Sequence, residues 1–265
     1  MLRKTPTMEN VVLKSIENRI GTITLNRPEK RNAMSQDLVR ALLEVLDEFE
    51  QDTAVKIVRI RAEGKAFCAG ADLGYLQKLQ QFSEEENLAD SRQLMSLFNR
   101  IYEFPKVVIA EIQGHALAGG CGLVTVCDFA FSVPEALFGY TEVRIGFIPA
   151  LVSVFLQEQI GASRAQELLL SGELISASKA AELGLITSVV PSDFLEKSVL
   201  DFAIKLTNQN SGNSMTETKA LLRSFHAKER KLALDYAAEV NAKARSHADC
   251  KKGIASFLNK ETINW

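Results

Sequence analysis

The stretch HALAGGCGLVTVCD, residues 115–128, places three glycines at the start of a segment whose later apolar residues have helical spacing. A glycine inside a helix costs roughly 1 kcal/mol relative to alanine, so Gly119, Gly120 and Gly122 need a reason. Two reasons are open from the sequence. The glycines either let chain elements pack closely, or they form a strand-to-helix corner whose free N–H groups hold a negatively charged atom.

The composition bounds what kind of protein this is. The chain has 265 residues, 46% of them hydrophobic, which is enough for one large domain or one domain with a small appendage. A net charge of −2, from 31 basic and 33 acidic residues, argues against nucleic-acid binding. No apolar run approaches the ~18 residues of a membrane span, residues 1–10 contain no signal-peptide core, and the four cysteines form no C-x-x-C pair. We therefore expect a cytoplasmic protein.

Strand and helix patterns alternate along most of the chain. Strands are predicted over residues 20–25, 55–62 and 106–114, and Ser35 is placed to cap a helix with apolar residues at helical spacing. From Ser192 onward the pattern is helical. Strands alternating with helices and followed by helices alone predict an α/β fold with a C-terminal helical region.

A second corner, FCAGAD at residues 67–72, is similar to the first because it also follows a strand and leads into a probable helix. Two backbone N–H groups that converge on one oxygen form an oxyanion hole, and each donor contributes ~3–4 kcal/mol to transition-state stabilisation. The chain has no P-loop, no G-x-G-x-x-G, no G-x-S-x-G and no H-E-x-x-H motif. Its three histidines lie far apart, so no metal site is predicted.

Five segments, in this order, carry a resemblance to a known family: ITLNRPEKRNAM, GKAFCAGADL, IQGHALAGGCGLVTVCDFAF, FGYTEVRIGFIP and SGELISASKAAELGLITSVVP. Over about residues 10–265 the chain resembles the enoyl-CoA hydratase/isomerase (crotonase) family. The resemblance implies a crotonase-like spiral of β-β-α turns over residues 1–195, with the acyl-CoA site, and a helical region over 196–265 that makes trimer contacts. It also implies an acyl-CoA substrate, no metal, and no cofactor beyond the coenzyme A of the substrate.

The resemblance also assigns catalytic roles by position. The oxyanion donors would be the N–H groups of Ala71 and Gly119, and the general acid/base would be Glu142. Hydratases of the family usually carry a further glutamate after GGC, where this chain has Gly122. Two carboxylates suit hydration, because one can activate water while the other delivers a proton. A single glutamate favours isomerisation between 3-enoyl-CoA and 2-enoyl-CoA.

Three alternatives to isomerisation stay open at this point. The C-terminal sequence resembles that of hydratases of branched acyl-CoA, such as methylglutaconyl-CoA, so hydration or dehydration of a branched 2-enoyl-CoA is one alternative. A non-catalytic acyl-CoA binder is another, because half of the carboxylate pair is missing. RNA binding, a property of one branch of the family, is the third, and the net charge of −2 argues against it.

Further residues are predicted to contact the substrate. By resemblance, Lys30 and Arg31 lie in a loop that wraps the adenosine end of coenzyme A, and the C-terminal Lys260 could reach a neighbouring subunit's coenzyme A. The remaining predicted substrate-binding residues lie beside the two corners or the glutamate: Ala69, Asp72, Gly122 and Tyr140. We expect Gly122 to leave space for a substrate group or a water, and the apolar residues of 150–161 to narrow the acyl pocket.

Other acidic residues could substitute for the missing glutamate. Glu111 interrupts an apolar strand, although a charge paired with a partner is its more frequent role, and Asp128 is expected to fix the join between helix and strand. We also expect a homo-oligomer, a trimer or a dimer of trimers. That expectation rests on an apolar helical stripe in the C-terminal region: Leu195, Val199, Phe202 and Leu206.

Overall fold

The computed structural model describes residues 11–265, without the side chain of Leu73. Its larger sheet has six strands in the order β1-β2-β3-β5-β7-β10. These strands are β1 (Val12–Glu17), β2 (Ile20–Leu25), β3 (Ile57–Ala62), β5 (Val107–Ile112), β7 (Phe129–Ser132) and β10 (Ser188–Val189). The first strand pairs antiparallel with β2, and all the other pairs are parallel. Parallel neighbours require crossover connections, which explains why helices separate these strands in the sequence.

A second sheet of four short strands lies beside the first. It consists of β4 (Ala66–Cys68), β6 (His115–Leu117), β8 (Leu137–Gly139) and β9 (Ile175–Ser176) in that order. Strands of the large sheet are followed by a strand of the small sheet and then by helix: β3 by β4, β5 by β6 and β7 by β8. This repeat confirms the predicted spiral of β-β-α turns and the α/β class.

Helices cover the sheets from outside. The first seven are α1 (Gln36–Gln51), α2 (Leu73–Leu79), α3 (Glu84–Tyr102), α4 (Gly119–Thr125), α5 (Ala150–Ile160), α6 (Ala162–Ser171) and α7 (Ala177–Leu183). The predicted cap of α1 is confirmed, because the Ser35 hydroxyl accepts a hydrogen bond from the Leu38 N–H at 3.3 Å. The apolar stripe of α1 is buried, including Leu38, Leu42 and Leu46. The chain between β8 and α5 contains a 3₁₀ turn, Thr141–Ile145.

Four further helices complete the chain, α8 (Leu195–Gln209), α9 (Gly212–Ser224), α10 (Ala227–Ser246) and α11 (Ala248–Asn259). The stripe that was expected to need a partner subunit packs instead on its own core. Leu195 and Val199 are buried, and Phe202 packs edge-to-face against Phe129 with 4.9 Å between ring centroids. That reason for expecting an oligomer is therefore wrong. Large exposed apolar side chains lie on or next to α9 and α10 instead: Leu221, Leu222, Phe225, Leu232 and Tyr236.

The boundary predicted at residue 195 coincides with the start of α8, although the division into two domains stays a prediction. Residues 1–10, on which the signal-peptide expectation depends, lie outside the described residues. The strand β1 and the four strands of the small sheet were not predicted, because β1 exposes most of its side chains and the other four have only two or three residues each. Within residues 11–265, no helix combines the length and apolar character that crossing a bilayer requires.

Candidate active site

The first corner holds the N–H group of Ala71 free of backbone partners. Met34 forms an isolated parallel bridge with Ala71. The Met34 N–H donates to the Gly70 carbonyl at 2.7 Å, and the Met34 carbonyl accepts from the Asp72 N–H at 2.9 Å. In such a parallel bridge the residue between the two bonded groups, here Ala71, points its own N–H away from Met34. Among residues 11–265 the Ala71 N–H donates to no group, so it is available to a ligand.

The second corner likewise leaves the N–H group of Gly119, the first residue of α4, without a backbone acceptor in the described chain. An N–H group in the first turn of a helix has no intrahelical acceptor, and none of the described residues accepts from Gly119. The preceding Ala118 has φ +50° and ψ −127°, a conformation that L residues avoid. Its N–H donates to the Gly139 carbonyl at 2.7 Å, which helps to hold it there. Backbone strain of this kind costs about 1–3 kcal/mol and is concentrated at functional sites.

The glycines of the opening stretch have separate reasons. A β-carbon on Gly120 would overlap the carbonyl of Cys68 in β4, so close packing of backbone on backbone excludes any side chain there. A β-carbon on Gly119 would overlap the Met34 Cε methyl. Of the two readings left open by the sequence, close packing therefore accounts for Gly120, whereas Gly119 also supplies a free N–H.

Gly122 does not leave the space that we expected. A β-carbon at this position would overlap Val152 Cγ1 and would stand 3.1 Å from Phe98 Cζ. Both of those side chains are buried. The expectation of room for a substrate group or water is therefore wrong, because α3 and α5 fill that space.

Glu142 lies in the 3₁₀ turn after β8, and its side chain is buried, with the residue only 9% exposed. Its Oε2 atom has no hydrogen-bond partner within the described chain. Burial, which disfavours the charged form, raises the pKa of this carboxyl to about 7. A carboxyl with that pKa exists in both protonation states near neutral pH, which suits a group that takes and returns a proton.

A single cavity of about 170 Å³ brings these groups together. Its lining includes four of the predicted site residues, Ala69, Ala71, Gly119 and Glu142. The first residues of α5, Ala150, Leu151 and Val152, also form part of the wall. Two unpaired backbone donors and one buried carboxyl thus line the same cavity.

The basic residues proposed to bind coenzyme A do not line this cavity, but a hydrogen bond connects the loop of Lys30 and Arg31 to it. Lys30 and Arg31 are exposed at the end of a 3₁₀ turn, Pro28–Lys30. The carbonyl of Arg31 accepts from the Ala69 N–H at 3.0 Å, which ties this loop to the first corner. Lys260 is exposed at the end of α11.

Asp72 and Tyr140 were predicted to contact substrate, but the structure places both outside the cavity lining, where they instead support the corners. Asp72 caps α2 by accepting from the Tyr75 N–H at 3.2 Å, and it pairs with Arg27 at 2.9 Å. Tyr140 is fully buried, and its hydroxyl lies 2.5 Å from Thr125 Oγ1. Burial raises the Tyr140 pKa well above its ordinary value, so it is a poor proton donor.

The other acidic residues considered as substitutes are already paired. Glu111 lies 3.0 Å from Arg59 and 3.4 Å from Arg61 on the large sheet. Asp128 accepts from the Val108 N–H at 2.8 Å and from the Lys219 ammonium at 2.7 Å, which fixes the join between α4 and β7. These contacts confirm the structural roles expected for both residues.

The cysteine and histidine residues near the corners are not placed for nucleophilic chemistry. Burial raises the pKa of the Cys68 and Cys121 thiols to about 12, so both are protonated at neutral pH. His115 is exposed, and its Nδ1 accepts from the Leu137 N–H at 3.1 Å. No group of three or more potential metal ligands occurs within residues 11–265.

One group of cavity residues escaped the sequence reasoning. It is polar and comes from three helices: Gln36, Asp90, Gln93, Asn241 and Arg245. A signal was present in α3, because Asp90 precedes the apolar residues Leu94 and Phe98 at intervals of four and so falls on the inward face of the helix. The partner on α10 could not be found from sequence, because the two residues are 155 positions apart.

An α/β spiral with two free backbone N–H groups beside a buried carboxyl defines a class of protein that can stabilise an oxyanion. The sequence profile of the family described as Enoyl-CoA hydratase/isomerase matches residues 15–265. This chain therefore belongs to the enoyl-CoA hydratase/isomerase family.

Individual relatives match this chain over nearly the whole of their own length. A protein named "Putative enoyl-CoA hydratase" from Thermus thermophilus is 38% identical over 244 residues, 92% of this chain and 96% of the relative. The crystal structure of an enoyl-CoA hydratase/isomerase from Xanthobacter autotrophicus superposes with a TM-score of 0.87 at 29% identity, covering 94% of this chain and 93% of that one. An enoyl-CoA hydratase structure from Shewanella pealeana gives 0.78 at 30% identity, covering 96% of each chain.

Proposed function

We propose that this protein acts on an unsaturated acyl-CoA thioester and moves its double bond between the 3- and 2-positions. The observation that carries the proposal is Glu142, whose buried carboxyl has an unpartnered oxygen in the same cavity as the free N–H groups of Ala71 and Gly119. Enolate chemistry needs those two parts, a base for the carbon acid and donors for the oxygen that gains charge.

The reaction balances with these groups alone. The thioester oxygen of a 3-enoyl-CoA accepts hydrogen bonds from Ala71 and Gly119, which makes the C2 proton more acidic. Glu142 removes that proton, and the electron pair spreads over C2, C4 and the thioester oxygen as a dienolate. The protonated Glu142 then returns the proton to C4, and the double bond lies between C2 and C3.

Among residues 11–265, the cavity lining offers one carboxyl that is not in an ion pair, and this favours isomerisation over hydration. Hydration requires a water that is held and activated at C3, and a carboxylate at position 122 is excluded by Val152 and Phe98. The other carboxylate in the cavity lining, Asp90, is paired with Arg245 at 2.7 Å. Glu142 is thus the carboxyl best placed to carry out proton transfer.

Hydration of a 2-enoyl-CoA is the second candidate function, and it includes branched substrates such as methylglutaconyl-CoA. The observation that favours it is the naming of the relatives, since those from Thermus thermophilus and Shewanella pealeana are both described as hydratases. In this reaction Glu142 would both position the water and deliver the proton to C2.

Panels of 3-enoyl- and 2-enoyl-CoA thioesters, straight and branched, test the two reactions with the same protein. Products are identified by chromatography and mass, since hydration adds the mass of a water and isomerisation adds none. Conversion of 3-enoyl to 2-enoyl thioesters without mass change supports the proposal, and fast formation of the hydrated product contradicts it. Binding of the thioesters without turnover identifies a non-catalytic acyl-CoA binder. The E142Q variant is the control for background reaction.

A further inference from the structure

The cavity that contains Glu142 has a polar end formed by an ion pair between two helices. Asp90 of α3 and Arg245 of α10 lie 2.7 Å apart, with side chains 6% and 5% exposed. Both residues line the cavity. Desolvation makes a buried ion pair weak evidence for stability, and well-packed apolar residues often replace one without loss. The pair therefore needs a reason other than stability, and its place in the cavity lining points to contact with a ligand.

The polar end is separated along α3 from Phe98, which also lines the cavity. Phe98 is near the reactive end, because it reaches the space beside Gly122. Leu94 and Asp90 follow on the same face of α3, one and two turns toward its N-terminus. Eight residues of helix between Phe98 and Asp90 correspond to about 12 Å. An acyl chain held at its thioester by the two corners would run along α3 and meet the polar residues with its far end.

The carboxylate of Asp90 and the carbonyl of Asn241 have their hydrogen-bond partners within the protein. Each Asp90 oxygen has a partner, since Gln36 donates to Oδ1 at 3.4 Å and Arg245 donates to Oδ2 at 2.7 Å. The Asn241 carbonyl accepts from Ser91 and from Arg245, both at 3.1 Å.

Two donors among these residues have no acceptor within the described chain. The Arg245 Nε–H is buried without a partner. The side-chain NH₂ of Asn241, a residue only 4% exposed, donates to none of residues 11–265. An unpaired buried donor is costly, and a ligand acceptor would relieve that cost. The carbonyl oxygens of Gln36 and Gln93 also have no donor within residues 11–265, but these two residues are half-buried and solvent can reach them. The unpaired groups on the buried residues Arg245 and Asn241 are donors, so a hydrogen-bond acceptor is what would satisfy them.

We infer that the polar end recognises an acyl chain whose distal end carries a carbonyl-type acceptor, either a carboxylate or a carboxamide. The inference rests on the proposed acyl-CoA substrate and adds the chemistry of its far end. Arg245 and Asn241 are the specificity-determining residues, and they act on the tail of the chain rather than on the reacting carbons. A site that offers hydrogen bonds to a substrate group discriminates strongly against analogues that lack it.

The test compares three enoyl-CoA thioesters of matched length that end in methyl, carboxamide or carboxylate. The measured quantity is the ratio of kcat/KM for each polar tail to that for the methyl tail. We expect at least one polar tail to exceed the methyl tail about tenfold or more. The carboxamide and carboxylate arms then show whether the site requires a charge. A ratio of one or less for both tails overturns the inference.

Variants of Arg245 and Asn241 test whether these residues cause the preference for polar tails. R245K keeps the charge that faces Asp90 but loses the Nε–H, and N241L removes the free amide, so both should bring the ratio toward one. The matched control is R230K. Arg230 is an equally buried arginine on the same helix that pairs with Glu158 at 3.0 Å and does not line the cavity. The R230K variant should keep the wild-type ratio. Equal ratios in R245K, N241L and R230K would contradict the assignment.

A double variant guards against misfolding. D90L/R245M replaces both charges together, so neither is left unpaired in the interior. It should fold and prefer the methyl tail. Titration calorimetry with the three thioesters on E142Q separates this inference from the proposed reaction. If no thioester is turned over but the polar tails bind tighter, the reaction proposal fails and the inference stands. If isomerisation occurs with no tail preference in turnover or binding, the inference alone fails.

Discussion

Val152 fills the space beside Gly122, and its Cγ1 methyl stands where a β-carbon at position 122 would have to lie. Because Gly122 is in α4 and Val152 is in α5, this contact is also where the two helices approach each other. The glycine is therefore a consequence of packing, and any side chain at position 122 requires Val152 to shift. The contact therefore supports the proposal that Glu142 acts without a second carboxylate at position 122.

Side chains at position 122 should consequently destabilise the protein. We expect G122A to lower the free energy of unfolding by about 1–3 kcal/mol, because overpacking a filled core outweighs the better helix propensity of alanine. V152A in the same chain should recover part of that loss, because it removes the methyl that the new β-carbon overlaps. Urea unfolding of the wild type, G122A and the G122A/V152A double variant gives the comparison. A stable G122E variant with increased hydration of 2-enoyl-CoA would contradict this account.

Replacing the carboxyl of Glu142 tests the proposed chemistry directly. E142Q keeps the shape of the side chain but cannot transfer a proton, so we expect kcat to fall by about 10²–10⁴-fold. Binding of coenzyme A should change little, because the residue lies at the acyl end of the substrate. Steady-state kinetics and calorimetry measure the two effects. Full activity in E142Q would end the proposed mechanism.

The raised pKa of Glu142 predicts a pH profile. The base must be ionised in the free enzyme, so kcat/KM for a 3-enoyl-CoA should rise with pH and level off above about 7, where the buried carboxyl has lost its proton. Initial rates at low substrate concentration over a pH series measure this profile. A rise that is complete near pH 5 would indicate that burial does not hold this carboxyl in its neutral form.

The same shift predicts an effect on stability. The pKa of Glu142 is about 7 in the folded protein against an ordinary value of 4.5, so the unfolded chain releases this proton first as pH rises. Stability is therefore lost as pH increases from about 4.5 to about 7, by no more than roughly 3 kcal/mol. E142Q should be more stable than the wild type above pH 7 and should show no gain below pH 4.5. Thermal melts of both proteins at the two pH values test this difference.

The exposed apolar residues of the C-terminal helices predict self-association. Leu221, Leu222 and Phe225 are 59%, 59% and 62% exposed, and they lie within five residues of each other at the end of α9. A patch of this kind is typical of an interface. We expect multi-angle light scattering to give the mass of a homo-oligomer, a trimer or a multiple of it, and L222E to shift it toward the monomer. A monomer at micromolar wild-type protein would contradict the expectation.

Much of the fold followed from local patterns. Strand alternation predicted β2, β3 and β5, and Ser35 predicted the start of α1, because these signals depend on neighbours in the chain. The paired corners around Ala71 and Gly119 were found in the same way, since a free N–H group at a strand-to-helix corner is a local property. Resemblance to the family then assigned Glu142, whose burial and unpartnered oxygen agree with the role given to it.

Other features depend on contacts that sequence spacing does not encode. Tyr140 and Asp72 adjoin the site residues in sequence, yet their side chains turn to Thr125 and Arg27 and leave the cavity. The sequence alone suggested that the apolar stripe of α8 is an interface, but in the structure the stripe packs on the main hydrophobic core.

The sequence by itself determined the alternation of strands and helices and the two corners, because backbone propensity and hydrophobic period are local. Resemblance to the family supplied the spiral and Glu142. Only the tertiary structure decided that Val152 fills the space beside Gly122 and that Asp90 pairs with Arg245 at the polar end of the cavity. Both outcomes arise from side chains on different helices competing for the same buried volume, and that competition exists only once the helices are packed.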